Sequence, residues 1–389
     1  MFRPIGVCAI STCSTSRSTT AGDDMTWRYH NPVHVVFGAG TLAELPALLG
    51  ERKATLVTFP EAAEVGLLDR LRAVLGARLA QVIDRTEPNP DVASLAPLYR
   101  DFWRGSDAGD VLIAVGGGSV IDTAKTLMVG TPDVSFEALV ALLATGKPFV
   151  PHRVKPLIAI PTTAGTGSEV TPWATVWDRG AARKYSLHLP QTWPEAAVVD
   201  PSLTLSLPAR PTLAAGLDAL SHALESIWNV NSNPVSDTHA VAAARTVLAT
   251  LPDLMHDLRN PALRARQALA AMQAGLAFSN TKTALAHSIS YDMTLHHGLP
   301  HGLACSFTLP MVLRRALHVD PARDAVLARI FDMPLDEAPA YLDGFLARLG
   351  VSTRFADYGV ATDEEQRMIA AALDGVRGKN FIGAQRTLA

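Results

Sequence analysis

Val111-Leu112-Ile113-Ala114-Val115-Gly116-Gly117-Gly118-Ser119-Val120-Ile121-Asp122 is the stretch on which the reading of the fold turns. Five apolar residues with no polar interruption read as a strand buried on both faces, the pattern of a parallel sheet. Three glycines follow, with no Cβ to hold a ligand away from the backbone. Val120–Met128 then takes helical spacing, and a helix starting there aims free N–H groups and a positive dipole end at the glycines. Strand, glycine turn and helix in that order suit a pyrophosphate, although the pattern is not Gly-x-Gly-x-x-Gly. Ser119 and Asp122 also stand in capping-box register, which gives both a purely structural use.

Upstream, the same alternation recurs. Val33–Phe37, Ala54–Phe59 and Leu79–Ile83 read as strands. Thr41–Leu49 with Thr41 as cap, Glu64–Leu75, and Asp91–Trp103 with Asp91 as cap read as helices. Strands separated by helices of this length indicate βαβ units and a parallel sheet. Downstream, Leu157–Ile160 is a further buried strand, and Pro161-Thr162-Thr163-Ala164-Gly165-Thr166-Gly167-Ser168-Glu169 follows it. Small residues and hydroxyls there can wrap a ribose-phosphate or nicotinamide by backbone approach and O–H donation. A plain surface loop would use many of the same residues. Trp173–Trp177, Tyr185–Leu189 and Ala196–Val199 are strand-like, and from Pro211 onward helical periodicity takes over.

The expected organisation is therefore an extension over 1–24, an α/β dinucleotide-binding domain over 25–207, and an all-α domain over 208–389 that holds the metal and catalytic groups. Ser11–Thr20 is nearly all Ser and Thr, and no acid precedes Asp23. We expect this extension to be disordered and Met25 to be the natural start.

The helical part contains Asp218-Ala219-Leu220-Ser221-His222, then His287, then Pro300-His301-Gly302. Asp218 and His222 are one turn apart, on one face of a helix. His287 and His301 share no helix face, so only the fold can join them to the pair. One carboxylate and three imidazoles form a nitrogen and oxygen set suited to Fe²⁺, Zn²⁺, Mn²⁺ or Ni²⁺. The competing reading is an ordinary helix with two incidental polar residues and scattered histidines.

Composition narrows the function classes. The chain has 389 residues, 48% apolar and 18% charged, with 34 basic and 37 acidic side chains and a net charge of −3. That balance gives no footprint for nucleic acid or an anionic membrane, and no apolar run approaches the roughly 20 residues of a span. The partner expected is a small-molecule substrate. The three cysteines (Cys8, Cys13 and Cys305) form no disulfide framework, which fits the cytoplasm.

Gly116–Lys125, Pro161–Glu169, Gly216–Glu225 and Pro300-His301-Gly302, in this order, resemble the iron-containing (group III) alcohol dehydrogenases. The resemblance runs from about Met25 to the C-terminus. It implies the dehydroquinate synthase-like fold, NAD or NADP, one divalent metal (Fe²⁺, with Zn²⁺ or another ion as alternatives), and a homodimer. It assigns the metal ligands to Asp218, His222, His287 and His301. It points to Asn89, Gly116, Gly117, Gly118, Ser119, Asp122, Thr162, Thr163, Thr166, Ser168 and Lys184 as cofactor contacts. Glu225, seven residues beyond Asp218, shares its helix face and is placed to orient a ligand.

One position departs from the family pattern. Four residues after His287, where many members carry a second histidine implicated in proton transfer, this chain has Tyr291. A phenol with reference pKa near 10 is a poorer relay at neutral pH than imidazole. Asn280–His287, Ser290-Tyr291 and Gly298–Gly302 resemble the phosphonate-metabolism branch, which includes phosphonoacetaldehyde reductases. The implied reaction is reduction of phosphonoacetaldehyde to 2-hydroxyethylphosphonate, with His287, Tyr291 and Lys282 as catalytic candidates. Lys282 would hold the phosphonate as a point charge, which requires the helix carrying Tyr291 to begin after it or to bend. Arg377 and Lys379 are rival anion holders. A general short-chain alcohol or aldehyde dehydrogenase, a dehydroquinate synthase-like lyase and a non-catalytic binder are the alternatives. Thr58-Phe59 stands where many relatives have an acid for the ribose hydroxyls, so NADP is permitted, though Glu61 is close.

Overall fold

The computed structural model describes residues 26–105 and 108–385; the extension 1–24 and the candidate start Met25 lie outside them. Strands β1 (His34–Phe37), β2 (Ala54–Thr58), β3 (Leu79–Ile83) and β4 (Val111–Gly116) alternate with helices α1 (Leu45–Leu49), α2 (Leu67–Leu75) and α3 (Val92–Arg104). Helix α4 (Gly118–Met128) follows the glycines, then the two-residue β5 (Val129–Gly130), α5 (Phe136–Ala144), and β6 (Arg153–Val154). Strand β7 (Leu157–Pro161) precedes a hairpin of β8 (Trp173–Asp178) and β9 (Arg183–His188), and β10 (Ala196–Val199) closes the series. The main sheet is six-stranded in the order β1-β10-β7-β4-β2-β3, and every pairing in it is parallel. β4 is central and buried along its whole length, as its unbroken apolar run requires.

Nine helices among the described residues form the second layer. They are α6 (Ala209–Ile227), α7 (Pro234–His256), α8 (Pro261–Thr281), α9 (Leu285–Leu295), α10 (His301–Ser306), α11 (Leu309–Ala316), α12 (Pro321–Ala328), α13 (Ala338–Arg348) and α14 (Thr362–Asp374). Helix α6 is the axis: every residue from Gly216 to Ile227 is buried, so even its polar side chains face protein. Asn233 and Asn260 cap α7 and α8 through their side-chain oxygens. The architecture is the expected one, a nucleotide-binding-type α/β layer followed by an all-helical one.

Local expectations at three helix starts are corrected. Thr41 is not a cap. Its hydroxyl donates to the Gly38 carbonyl at 2.8 Å, the helix is entered through a 3-10 turn, and Asp200 takes the Gly40 and Leu42 N–H groups. α2 begins at Leu67 rather than Glu64, after Gly66 in a left-handed conformation at φ 70°. The Ser119/Asp122 capping box does not form: the N-cap of α4 is Gly117, without a side-chain cap. Helix α5, capped by Ser135, lies outside what the sequence reading covered.

The glycines at β4 also serve packing, a use that the sequence reading did not cover. A Cβ on Gly116 would sit 2.4 Å from Val120 Cγ2, and one on Gly118 would sit 2.7 Å from Thr166 Cγ2. The closeness they allow is to the next turn of α4 and to the loop after β7. That loop docks in turn on the helices. A Cβ on Gly165 would meet the Ala215 backbone of α6, and Gly167, at φ 59°, approaches Gly275 of α8. Both loops after the central strands are thus packed together against the helical layer.

Candidate active site

A cavity of about 760 Å³ opens where the two loops meet the helices. Its α/β wall carries Asn89, Gly118, Ser119, Asp122, Thr166, Ser168 and Lys184. Gly116, Gly117, Thr162 and Thr163 stand behind this wall and do not line the cavity. Thr162 N–H pairs with the Gly116 carbonyl at 3.0 Å. The wall is already hydrogen-bonded. Ser119 Oγ accepts from the Asn89 N–H at 3.0 Å. Asp122 accepts from the Ser168 hydroxyl and the Thr175 N–H, each at 2.9 Å. Lys125 Nζ, fully buried, donates to the Ser168 carbonyl at 2.6 Å and the Trp173 carbonyl at 2.7 Å. Burial lowers this lysine to about 8, against the pull of Asp122 and Glu169.

The opposite wall is built from α6, α8, α9 and α10. Asp218 and His222 project from α6, one turn apart. Helix α9 has no cap of its own. Glu225, two turns beyond Asp218, supplies it by accepting from the Ala284, Ala286 and His287 N–H groups at 2.9, 2.5 and 3.3 Å, the orphan donors of a helix start. The same carboxylate holds His287 Nδ1 at 2.6 Å. Nδ1 then carries a proton, and although burial opposes it, Glu225 and Asp218 help hold the imidazole well above its ordinary value, so a metal at Nε2 would have to displace a proton. His301 is the first residue of α10, and Gly302 lets that helix cross α6 closely: a Cβ there would lie 1.9 Å from the Ala214 carbonyl oxygen.

These elements bring the four expected ligands together. From Asp218 Oδ1, the Nε2 atoms of His287, His222 and His301 are 3.5, 3.8 and 4.0 Å away. Asp218 Oδ1 and His287 Nε2 are buried without a hydrogen-bond partner, which is costly for polar atoms unless something else satisfies them. Ligand atoms about 2.1 Å from a tetrahedral ion are roughly 3.4 Å apart. The donor set therefore fits a divalent metal. Burial lowers His222 to about 4 and His301 to about 3, so both are neutral, as a metal requires. Burial alone would raise the Asp218 carboxyl, but the surrounding imidazoles outweigh it and hold it below the carboxylate range. Phe278 stacks on His222 with ring centroids 4.1 Å apart.

The remaining lining is largely apolar and also carries five cations. Lys147, Arg183, Lys184, Lys282 and Arg377 all face the cavity. Lys184 Nζ lies 3.9 Å from the Tyr291 ring centroid, and Arg377 Cζ lies 4.8 Å from the same ring. Arg377 is steadied by its Nε donating to Thr283 Oγ1 at 3.0 Å. Burial, with Arg377 nearby, lowers Lys184 to about 7. Lys282 ends α8 at φ 67°, and α9 begins three residues later, so the helix carrying Tyr291 does start after it and both reach the cavity. Lys379 does not line it. Burial raises Tyr291 further above its ordinary value, which weakens it as a proton relay. Sequence reading did not anticipate that Lys184 and Arg377 would converge on Tyr291. No spacing rule joins residues so far apart.

Comparison with known proteins agrees with this geometry. Residues 32–201 match the family described as iron-containing alcohol dehydrogenase, and residues 212–387 match the C-terminal part of the same family. A phosphonoacetaldehyde reductase from Streptomyces viridochromogenes is 36% identical, over 72% of this chain and 73% of that protein. A 4-hydroxybutyrate dehydrogenase from Cupriavidus necator is 33% identical over 89% and 92%. Among solved structures, sulfoacetaldehyde reductase from Bifidobacterium kashiwanohense in complex with NAD⁺ superposes with a TM-score of 0.84 at 29% identity. That match covers 92% of this chain and 95% of that one. The chain belongs to the iron-containing alcohol dehydrogenase family.

Proposed function

We propose that the chain is a metal-dependent, NAD(P)-linked reductase of a small anionic aldehyde, with phosphonoacetaldehyde as the first candidate. The observation that carries this reading is the cluster of buried, unpartnered donors around Asp218 Oδ1, facing the cavity that both glycine-rich loops border. Asp218, His222, His287 and His301 would hold the metal, with Fe²⁺ as the family's namesake ion. The cofactor would lie along Asn89, Gly118, Ser119, Thr166 and Ser168, over the backbone that Gly116, Gly117, Thr162 and Thr163 shape from behind. When bound, the ion polarises a carbonyl oxygen and the reduced nicotinamide supplies hydride.

The chain's own residues do the rest. Glu225 fixes the His287 tautomer through Nδ1. Phe278 covers one face of the His222 ring. Five lining cations face only two lining acids, Asp122 and Asp218. Asp122 already accepts from Ser168 and Thr175, and Asp218 would face the metal, so the cavity favours an anionic substrate. Arg377 and Lys184 are better placed than Lys282 to hold the anion, since they meet over Tyr291 beside the α9 turn that carries His287. Protonation of the product oxygen would come from solvent or from Lys184. Three of the relatives are in keeping with an anionic substrate, being named for a phosphonate aldehyde, a sulfonate aldehyde and a hydroxy acid, while others are named for methanol and choline.

The test is an oxidation assay with NADH and with NADPH on Fe²⁺-loaded protein. Phosphonoacetaldehyde, sulfoacetaldehyde and uncharged aldehydes of equal size are compared. An advantage of about tenfold or more in kcat/KM for the anions, lost in Arg377→Gln, is expected. Equal rates for charged and uncharged aldehydes would remove the substrate proposal. No oxidation of either cofactor with any aldehyde would remove the reductase.

A further inference from the structure

Two cations of the cavity are held by aromatic rings rather than by carboxylates. Trp177 of β8 and Lys184 of β9 stand directly opposite each other in the hairpin, so both side chains leave it on one face. The Lys184 ammonium lies 4.9 Å from the Trp177 ring centroid and 3.9 Å from that of Tyr291. The Arg377 guanidinium lies 4.8 Å from the Tyr291 ring. Trp177, Lys184, Tyr291 and Arg377 therefore alternate ring and cation, each step within reach of a cation–π contact. The series begins on the hairpin of the α/β layer and ends on the helical layer, and all four residues line the cavity. Trp177 is buried, and its N–H donates to the Pro90 carbonyl at 2.8 Å, which fixes the first ring. Arg377 is tied only through Nε, to Thr283. Among the described residues, Lys184 Nζ has no hydrogen-bond acceptor and no carboxylate at ion-pair distance. Asp122 and Asp218 act on it from further away.

A carboxylate partner would cancel a cation and occupy its N–H groups. A ring face attracts the cation through its quadrupole and leaves both the charge and the donors free. Burial works against an ammonium in this place, and Arg377 repels it, so without a ring on either side Lys184 would turn toward solvent. We propose that Trp177 and Tyr291 are positioning residues. Together they clamp the Lys184 ammonium, and Tyr291 also holds the Arg377 guanidinium, so that both cations present free donors to the anionic group of the substrate. Tyr291 then serves through its ring face and passes no proton. The inference rests on the anionic-aldehyde reading above and deepens it. The phosphates of the cofactor share this chemistry, and the test separates the two sources.

Steady-state kinetics on the Fe²⁺-loaded full chain tests it. Phosphonoacetaldehyde is compared with tert-butylacetaldehyde, an uncharged aldehyde of similar shape, and the cofactor is varied separately. Tyr291→Leu should raise KM for phosphonoacetaldehyde about tenfold or more, the scale of a desolvated cation–π contact. Its kcat should move little, and KM for tert-butylacetaldehyde should not follow. Tyr291→Phe keeps the ring face and should restore the parent KM. Added to Lys184→Met, Tyr291→Leu should have a smaller effect than it has alone, because one clamped cation is already gone. A loss of kcat in Tyr291→Phe would make Tyr291 a proton donor and overturn the proposal. So would a KM that rises equally for both aldehydes, which would make the ring a packing element. A rise confined to the cofactor KM overturns it too, since the clamped anion would then be a cofactor phosphate. Full additivity with Lys184→Met overturns it by uncoupling the ring from the ammonium. Should Tyr291→Leu fail to fold, Trp177→Leu and Trp177→Phe make the same comparison from the other side of Lys184. A parent protein with no preference for the anion overturns both this and the substrate reading beneath it. A preference that survives Tyr291→Leu overturns this one alone.

Discussion

The two walls of the cavity carry polar residues in similar numbers but use them in opposite ways. On the α/β wall, Ser119, Asp122, Lys125 and Ser168 all have protein partners within hydrogen-bond distance. On the helical wall, Asp218 Oδ1 and His287 Nε2 are just as buried and have none. Glu225 sits between the two cases, spending its oxygens on the start of α9 and on His287 Nδ1. A satisfied buried network rigidifies what it joins, whereas an unsatisfied buried atom carries a standing cost that a ligand removes. The α/β wall thus presents side chains that are already partnered, and the helical wall presents unpartnered atoms, as the proposed metal site requires. Mutations should separate the two. Helical-wall changes should remove metal and activity with the fold intact, and α/β-wall changes should loosen the fold with the metal retained.

The largest effect should come from Asp218, whose Oδ1 faces all three imidazoles. Asp218→Ala should lose stoichiometric metal, read by elemental analysis, and all turnover, while the apo protein unfolds at an unchanged urea midpoint. Retained metal and activity would break the contrast between the walls. Next, Glu225→Gln keeps the shape but offers one accepting oxygen where Glu225 offers two. Metal affinity should fall by about 10- to 100-fold, measured by chelator competition. An unchanged affinity would show that His287 keeps its orientation without the carboxylate.

How much of this was legible beforehand follows the same division. The parallel sheet was readable because β4 and β7 are apolar without interruption, a signal that depends only on neighbours along the chain. The pairing of Asp218 with His222 was readable for the same reason, being a spacing within one helix. Bringing His287 and His301 to that pair took the family resemblance, because no local rule joins α6, α9 and α10. The Ser119/Asp122 capping box failed because tertiary partners, Asn89, Ser168 and Thr175, outcompeted the helix's own N–H groups for the same side chains. The glycines have a second use that the sequence reading did not reach. Their missing Cβ atoms make room for Val120 and Thr166, a contact between loops that the sequence does not encode locally. Arg377 and Lys184 meet over Tyr291 from distant positions, and only coordinates put them there.

A smaller effect, again at the junction of the walls, should appear in the pH dependence. Lys184 is lowered to about 7 by burial and by Arg377. Below that pH it is charged and can hold an anion; above it the charge is lost. KM for a sulfonate aldehyde, whose own charge is constant in this range, should rise by up to about tenfold per unit as pH climbs above 7. KM for an uncharged aldehyde of equal size should stay flat. Parallel profiles for the two would show that the Lys184 charge does not serve the substrate.

The smallest effect expected on catalysis is also the sharpest test of the contrast, because Asp122 admits both readings. Family resemblance makes it a cofactor contact, whereas the structure shows its carboxylate joining Ser168 of one loop to Thr175 of β8. Asp122→Asn preserves the outline but turns an N–H₂ toward either the Ser168 hydroxyl or the Thr175 N–H, leaving one donor unmatched. Burial already raises the Asp122 carboxyl, with Lys125 opposing, so removing the charge also takes a counter-ion from a buried ammonium. If the wall is scaffolding, urea unfolding should show a loss of about 1–3 kcal/mol. Metal content should be unchanged and kcat should shift only a few-fold. If Asp122 instead grips the cofactor, stability should hold while the cofactor KM rises steeply at constant kcat. That second outcome would erase the distinction between a wall that shapes and a wall that binds.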